Sequence, residues 1–81
     1  MAFPFDPEAS TLWTLHREAR TAVCDLRFVP IGTEVRILRD GRLLYSRIFP
    51  TGAEALAWAE EERNRTLEQG WAQWAKSERA Q

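Results

Sequence analysis

Apolar and polar positions alternate along this chain from Leu12 to Phe49, and the period lengthens to that of a helix after Pro50. The alternating part breaks into four pieces. LWTLHR and TAVCDLRFV read as strands joined by the polar link Glu18-Ala19-Arg20, with Ala22, Cys24, Leu26 and Phe28 sharing one face of the second. Val29-Pro30-Ile31-Gly32 ends that strand, because Pro30 has no N–H for the ladder and Gly32 accepts a positive φ. The next stretch, TEVRILRDGRLLYSRIF, holds two runs of β-formers meeting at Asp40-Gly41, the strongest short-range signal for a hairpin.

A two-residue turn at Asp40-Gly41 sets Arg39 opposite Arg42, Ile37 opposite Leu44, Val35 opposite Ser46 and Glu34 opposite Arg47. Val35, Ile37, Leu44 and Ile48 then form an aliphatic face. Leu38, Leu43, Tyr45 and Phe49 lie on the other, mixed with Glu34, Arg36 and Arg47. A three-residue turn with a bulge would move the pairing by one and exchange Tyr45 and Phe49 with Leu44 and Ile48.

Past Pro50, Thr51-Gly52-Ala53-Glu54 has the form of a capping box and opens a helix. Ala55, Leu56, Ala59, Arg63, Thr66 and Leu67 make its broad stripe, with the Arg63 stem lying along apolar surface. Gly70 suits the residue just past the end, with Trp71 packing back on the last turn. The prediction is an α+β fold (ββββα): a four-stranded antiparallel meander, then one long C-terminal amphipathic helix packed on one sheet face. Residues 1–10, with Pro4 and Pro7 and the apolar Phe3 and Phe5, read as a flexible N-terminal arm; 11–74 form the single domain; 75–81 read as a frayed tail, with a second short helix from Trp71 to Arg79 as the alternative.

Length and charge then narrow the function. A core built from 81 residues is small, and chains of this size gain stability from disulfides, metal or self-association. One cysteine and one histidine supply neither of the first two. No export signal stands at the N-terminus and no apolar run approaches the roughly 20 residues needed to cross a bilayer, so a soluble, cytoplasmic protein is expected. The near-neutral total hides a division: residues 11–49 hold seven Arg against four acids, and residues 50–70 hold five Glu against two Arg.

Candidate chemistry is sparse. Nucleophilic catalysis needs a base within reach, and Cys24, Ser10, Ser46 and Ser77 have only His16 to serve them. Cys24 shares a face with Leu26 and Phe28 and reads as a small core residue, while His16 reads as an exposed or hydrogen-bonded imidazole. Glu60-Glu61-Glu62 point in different directions from a helix, which argues against a metal centre. Gly32, Gly41, Gly52 and Gly70 each mark a separate turn or helix end and make no phosphate loop. Neither enzyme activity nor a cofactor is expected.

Leu12-Trp13, the strand Cys24-x-Leu26, Asp40-Gly41, Leu43-Leu44-x-Ser46 and the helix end Glu68-Gln69-Gly70-Trp71 together resemble small uncharacterised bacterial proteins over about Leu12 to Trp71. That resemblance implies a compact bacterial domain and no particular chemistry. The strand order is also similar to the four strands and one helix of the PC4-like single-stranded DNA-binding fold, a likeness of topology alone.

One helix covers one sheet face, so the other becomes the functional question. Its candidate contact residues are Arg36, Leu38, Leu43, Tyr45, Arg47 and Phe49, with Trp58 at the helix edge. Three occupants compete: Trp13 or the terminal aromatic residues of the same chain, a second copy meeting it by open faces or edge strands, and nucleic acid. The main expectation is an interaction domain that forms a homodimer or binds a protein partner. The alternative is a single-stranded nucleic-acid module in which Arg20, Arg27, Arg36, Arg39, Arg42 and Arg47 contact phosphates while Tyr45 and Phe49 stack on bases.

Overall fold

The structure, a computed structural model, describes residues 8–73. Strands β1 (Ser10–Arg17), β2 (Arg20–Val29), β3 (Gly32–Arg39) and β4 (Arg42–Phe49) form one antiparallel sheet in chain order, and helix α1 (Gly52–Glu68) packs on it. This is the predicted α+β architecture, and each strand connection is two residues long. Residues 1–7 of the arm, Ser77, Trp74 and the tail lie outside the described residues, and with them the expectations of a flexible arm and a frayed end.

Local chemistry explains the boundaries. Asp40 and Gly41 both take positive φ, 54° and 81°, the conformation of a tight hairpin turn whose twist matches that of the strands. The Asp40 carboxylate accepts from the Thr21 N–H at 2.9 Å and from Arg20 Nε at 3.0 Å, tying this turn to the start of β2. Gly32 sits where β4 comes closest: a Cβ there would lie 2.2 Å from the Phe49 carbonyl oxygen, so no larger residue fits. Thr51 caps α1 by accepting the Glu54 N–H at 3.2 Å.

At its other end α1 closes with paired bonds, Gly70 N–H to the Leu67 carbonyl and Trp71 N–H to the Thr66 carbonyl. Gly70 reverses the chain in the left-handed region at φ 99°, and Trp71 folds back into the core at 5% exposure. Residues 71–73 therefore start no second helix; Ala72 instead pairs with His16 of β1.

Two bulges decide which side chains the helix covers. One, in β1, lets Leu12 and Trp13 both pack on the core, where Trp13 Nε1 donates to the Ala59 carbonyl at 3.0 Å. The other, in β4, corrects the sequence reading of the hairpin. Arg39 does face Arg42 and Leu38 faces Leu43, as a two-residue turn requires, but Leu44 is then an extra residue and Ile37 faces Tyr45. Beyond it Val35 faces Arg47, and Thr33 faces Phe49. Tyr45, Arg47 and Phe49 thus stand on the face under α1, whereas Ile48 joins Glu34 on the far face.

The core contains Trp13, Leu15, Ala22, Cys24, Leu26, Val35, Ile37, Phe49 and Trp71 from the sheet side and Ala55 and Ala59 from the helix. The two alanines let the helix backbone approach the sheet. The predicted helix stripe needs one correction: Leu56 is exposed, and Glu62 is buried with Ala55, Ala59 and Thr66. Phe28 is on the predicted face, but it lies past the cover of α1 and is 80% exposed.

Candidate functional site

The six residues expected to share the open sheet face are divided between its two faces, and Trp58, expected at the helix edge, joins one group. Arg36 and Leu38 are on the far face, both buried, and Leu43 lies beside them half exposed. Arg36 holds Asp25 through two 2.8 Å bonds, Nε to Oδ1 and NH2 to Oδ2, between directly opposed positions of β3 and β2. Arg27 and Glu34, also directly opposed, add a second cross-strand pair at 2.6 Å. Polar pairing thus interrupts the far face, where continuous apolar area was expected, and a paired, two-pronged contact of this kind binds each charge in a fixed geometry.

Tyr45, Arg47, Phe49 and Trp58 instead come together at the seam between β4 and α1. The Trp58 ring lies 6.2 Å from that of Tyr45, edge to face, and 5.6 Å from that of Phe49. The Arg47 guanidinium stacks 4.9 Å from the Phe49 ring centre and 5.8 Å from that of Trp58. These aromatic rings are packed on each other, with Phe49 buried and Tyr45 partly open to solvent. A shallow groove of about 380 Å³ runs along this seam, with Glu54 and Glu61 on its helix wall.

The Tyr45 hydroxyl donates to Glu62 Oε1 at 2.6 Å, and Arg65 engages the other carboxylate oxygen. Burial and the Glu62 bond push the Tyr45 phenol up to about 12, and the same carboxylate raises the Arg65 guanidinium further above its ordinary value. Sequence reading missed Glu62 because it belongs to a run of three acids. Its spacing was the available signal, since 55, 59, 62 and 66 fall on one helical stripe.

Cys24 is fully buried, and burial first, then Asp25 and Glu62, push its thiol up to about 12, which leaves no thiolate at neutral pH. His16 is occupied through its backbone, donating to the Ala72 carbonyl at 2.6 Å and accepting from the Ala72 N–H at 2.7 Å. Ser46 lies on β4 opposite Arg36 and Ser10 begins β1. Among the described residues no three His, Cys, Asp or Glu side chains are grouped to hold a metal ion, and no helix is long and apolar enough to cross a membrane.

The two sheet edges differ. Ala72 covers part of the outer edge of β1, whereas no described strand pairs with the outer edge of β4. Seven of the eight β4 residues are exposed, among them Leu43 and Leu44 at 52% and Tyr45 and Ile48 at 43%. No protein-family model, curated protein or solved structure matches this chain.

Proposed function

We propose that this protein is an interaction module that assembles with a second copy of itself through the β4 edge. The supporting observation is β4, exposed and largely apolar, with an outer edge that no described strand pairs, of the kind that proteins otherwise blunt or cover. An antiparallel strand is self-complementary about a two-fold axis, which is the symmetry of the commonest oligomers. Placing that axis at Ser46, with Leu44 of each copy left as the extra residue of its bulge, sets Leu43 opposite Ile48 of the other copy, twice. The same register keeps Arg42 and Arg47 from facing their own kind, since Arg47 then meets Tyr45 and Arg42 meets Phe49. Two four-stranded sheets become one of eight, and the bulge that exposes Ile48 serves the contact.

Light scattering at micromolar concentration tests this reading. Twice the 9.4 kDa chain mass is expected, falling to one chain in the Leu43→Lys/Ile48→Lys variant. A wild-type protein that stays at one chain mass overturns the proposal. Register has its own check, because Leu43→Cys/Ile48→Cys should oxidise to a covalently linked dimer while Cys24 stays buried and unreactive.

A further inference from the structure

At one end of the sheet the structure gathers positive charge in excess: four Arg against Glu18 and Asp40 among the described residues. Arg17 pairs with Arg20 across the first turn and Arg39 with Arg42 across the third, and the two turns sit side by side because the start of β2 pairs with the end of β3, Ala22 opposite Arg39. Like charges directly opposed across strands destabilise a sheet, and here there are two such pairs. Two carboxylates stand at this end, Glu18 in the first turn and Asp40 in the third, and Asp40 is already engaged by Arg20 and by the Thr21 N–H, bonds that hold its pKa below the ordinary value. Neither Arg39 nor Arg42 has an ion-pair partner among the described residues, and Arg39 Nε is buried with no hydrogen-bond acceptor.

These side chains surround a hollow of about 320 Å³ lined by Arg20, Arg39, Asp40, Arg42, Leu43 and Leu44. Its floor is preorganised. Arg39 lies 4.8 Å from the Trp71 ring centre and Arg20 lies 5.9 Å from it, so one buried indole fixes both guanidinium groups. A guanidinium confined over a ring loses less freedom on binding, and its N–H fork matches a phosphate oxygen pair. Leu43 and Leu44 give the opposite wall an apolar character, and the volume exceeds what a bare tetrahedral anion fills.

We propose that this hollow is a binding site for the phosphate group of a small phosphorylated molecule that carries an apolar body. Arg39 and Arg42 contact the phosphate oxygens, Arg20 adds charge from its bridge to Asp40, and the two leucines receive the body. The site does not depend on association through β4, although it shares Arg42, Leu43 and Leu44 with that strand.

Calorimetric titration of the whole protein with inorganic phosphate and with phenyl phosphate, at low salt, tests the site. Saturable binding of one phenyl phosphate per chain is expected, tighter than that of inorganic phosphate. Arg42→Gln and Arg39→Gln should each weaken it about tenfold, the loss of a charge-assisted bond, while Arg63→Gln, on the helix, leaves it unchanged. Circular dichroism confirms that each variant folds, and Arg42→Gln, on an exposed residue, keeps the test decisive if Arg39→Gln does not. No saturable binding, or equal weakening by Arg63→Gln, overturns the site. Inorganic phosphate binding as tightly as the ester removes the apolar body, and a single-stranded oligonucleotide competing at lower concentration than phenyl phosphate makes the ligand a nucleic-acid backbone instead. Light scattering of the same samples reports association separately, so failure of one proposal is not failure of the other.

Discussion

Both edge strands contain a bulge of one residue, yet the consequences are opposite. At β1 the extra Leu12 turns Trp13 inward to bond the helix carbonyl of Ala59, and Ala72 then pairs with His16 from outside. At β4 the extra Leu44 turns Tyr45, Arg47 and Phe49 toward the helix seam and leaves Leu43, Leu44 and Ile48 facing solvent beside an unpaired ladder. Protection of an edge is therefore not built into a strand. It is supplied by what the chain does after the helix, and it reaches β1 because Gly70 reverses direction there.

The comparison breaks most severely at Trp71. Trp71→Ala removes a buried ring and unseats Ala72, at a cost of about 3 to 5 kcal/mol in chemical denaturation, and the newly opened β1 edge should raise the apparent mass beyond a dimer. Retention of wild-type stability would mean that the β1 edge needs no cover. Tyr45→Phe tests the β4 side and should cost about 1 to 3 kcal/mol, because Glu62 remains buried with one hydrogen-bond partner fewer.

The Tyr45 variant also carries a signature in pH. A phenol raised to about 12 in the fold, against an ordinary value near 10, binds its proton more tightly when folded. Its contribution is therefore complete below pH 10 and disappears as pH rises toward 12. Cys24 adds a slope of the same sign from about 9 upward, so the difference between wild type and Tyr45→Phe isolates the phenol. Denaturation midpoints that run parallel above pH 10 would remove the Tyr45–Glu62 bond from the account.

Smaller effects sharpen the contrast. Gly70→Ala forces a side chain into the left-handed region and should cost about 1 kcal/mol, with faster hydrogen exchange at His16 and Ala72 as the specific readout. Leu43→Lys should change monomer stability by about 0.5 kcal/mol or less, as surface substitutions do, while lowering the dimer fraction. A loss of several kcal/mol there would show that Leu43 is part of the core rather than of an edge.

Much of this fold was legible in the residues themselves. Alternation, Pro30, Asp40-Gly41, Thr51 with Glu54, and Gly70-Trp71 are local signals, each acting within a few positions, and each marks an element end found in the structure. The face assignment of β4 was not legible, because RLLYSRIF has apolar residues on both sides of any register and a bulge within Leu43-Leu44-Tyr45 needs no special residue. That single slip separated Arg36 and Leu38 from Tyr45, Arg47 and Phe49 and dissolved the expected contact surface into a seam and a far face. Glu62 was hidden by identity rather than by spacing, since a carboxylate takes a core position only when long-range partners such as Tyr45 satisfy it.

The paired closure at Gly70 gives the helix a second role, that of a ruler. Its 17 residues span roughly 25 Å, and that length, measured from the Thr51 cap, is what delivers Trp71 to its slot and Ala72 to His16. One residue inserted before Thr66 would turn the delivery point by about 100° and carry the lock away from the edge it closes. Helix length and the number of open sheet edges are thus one variable, and a single-codon insertion in α1 would act as a change of assembly state.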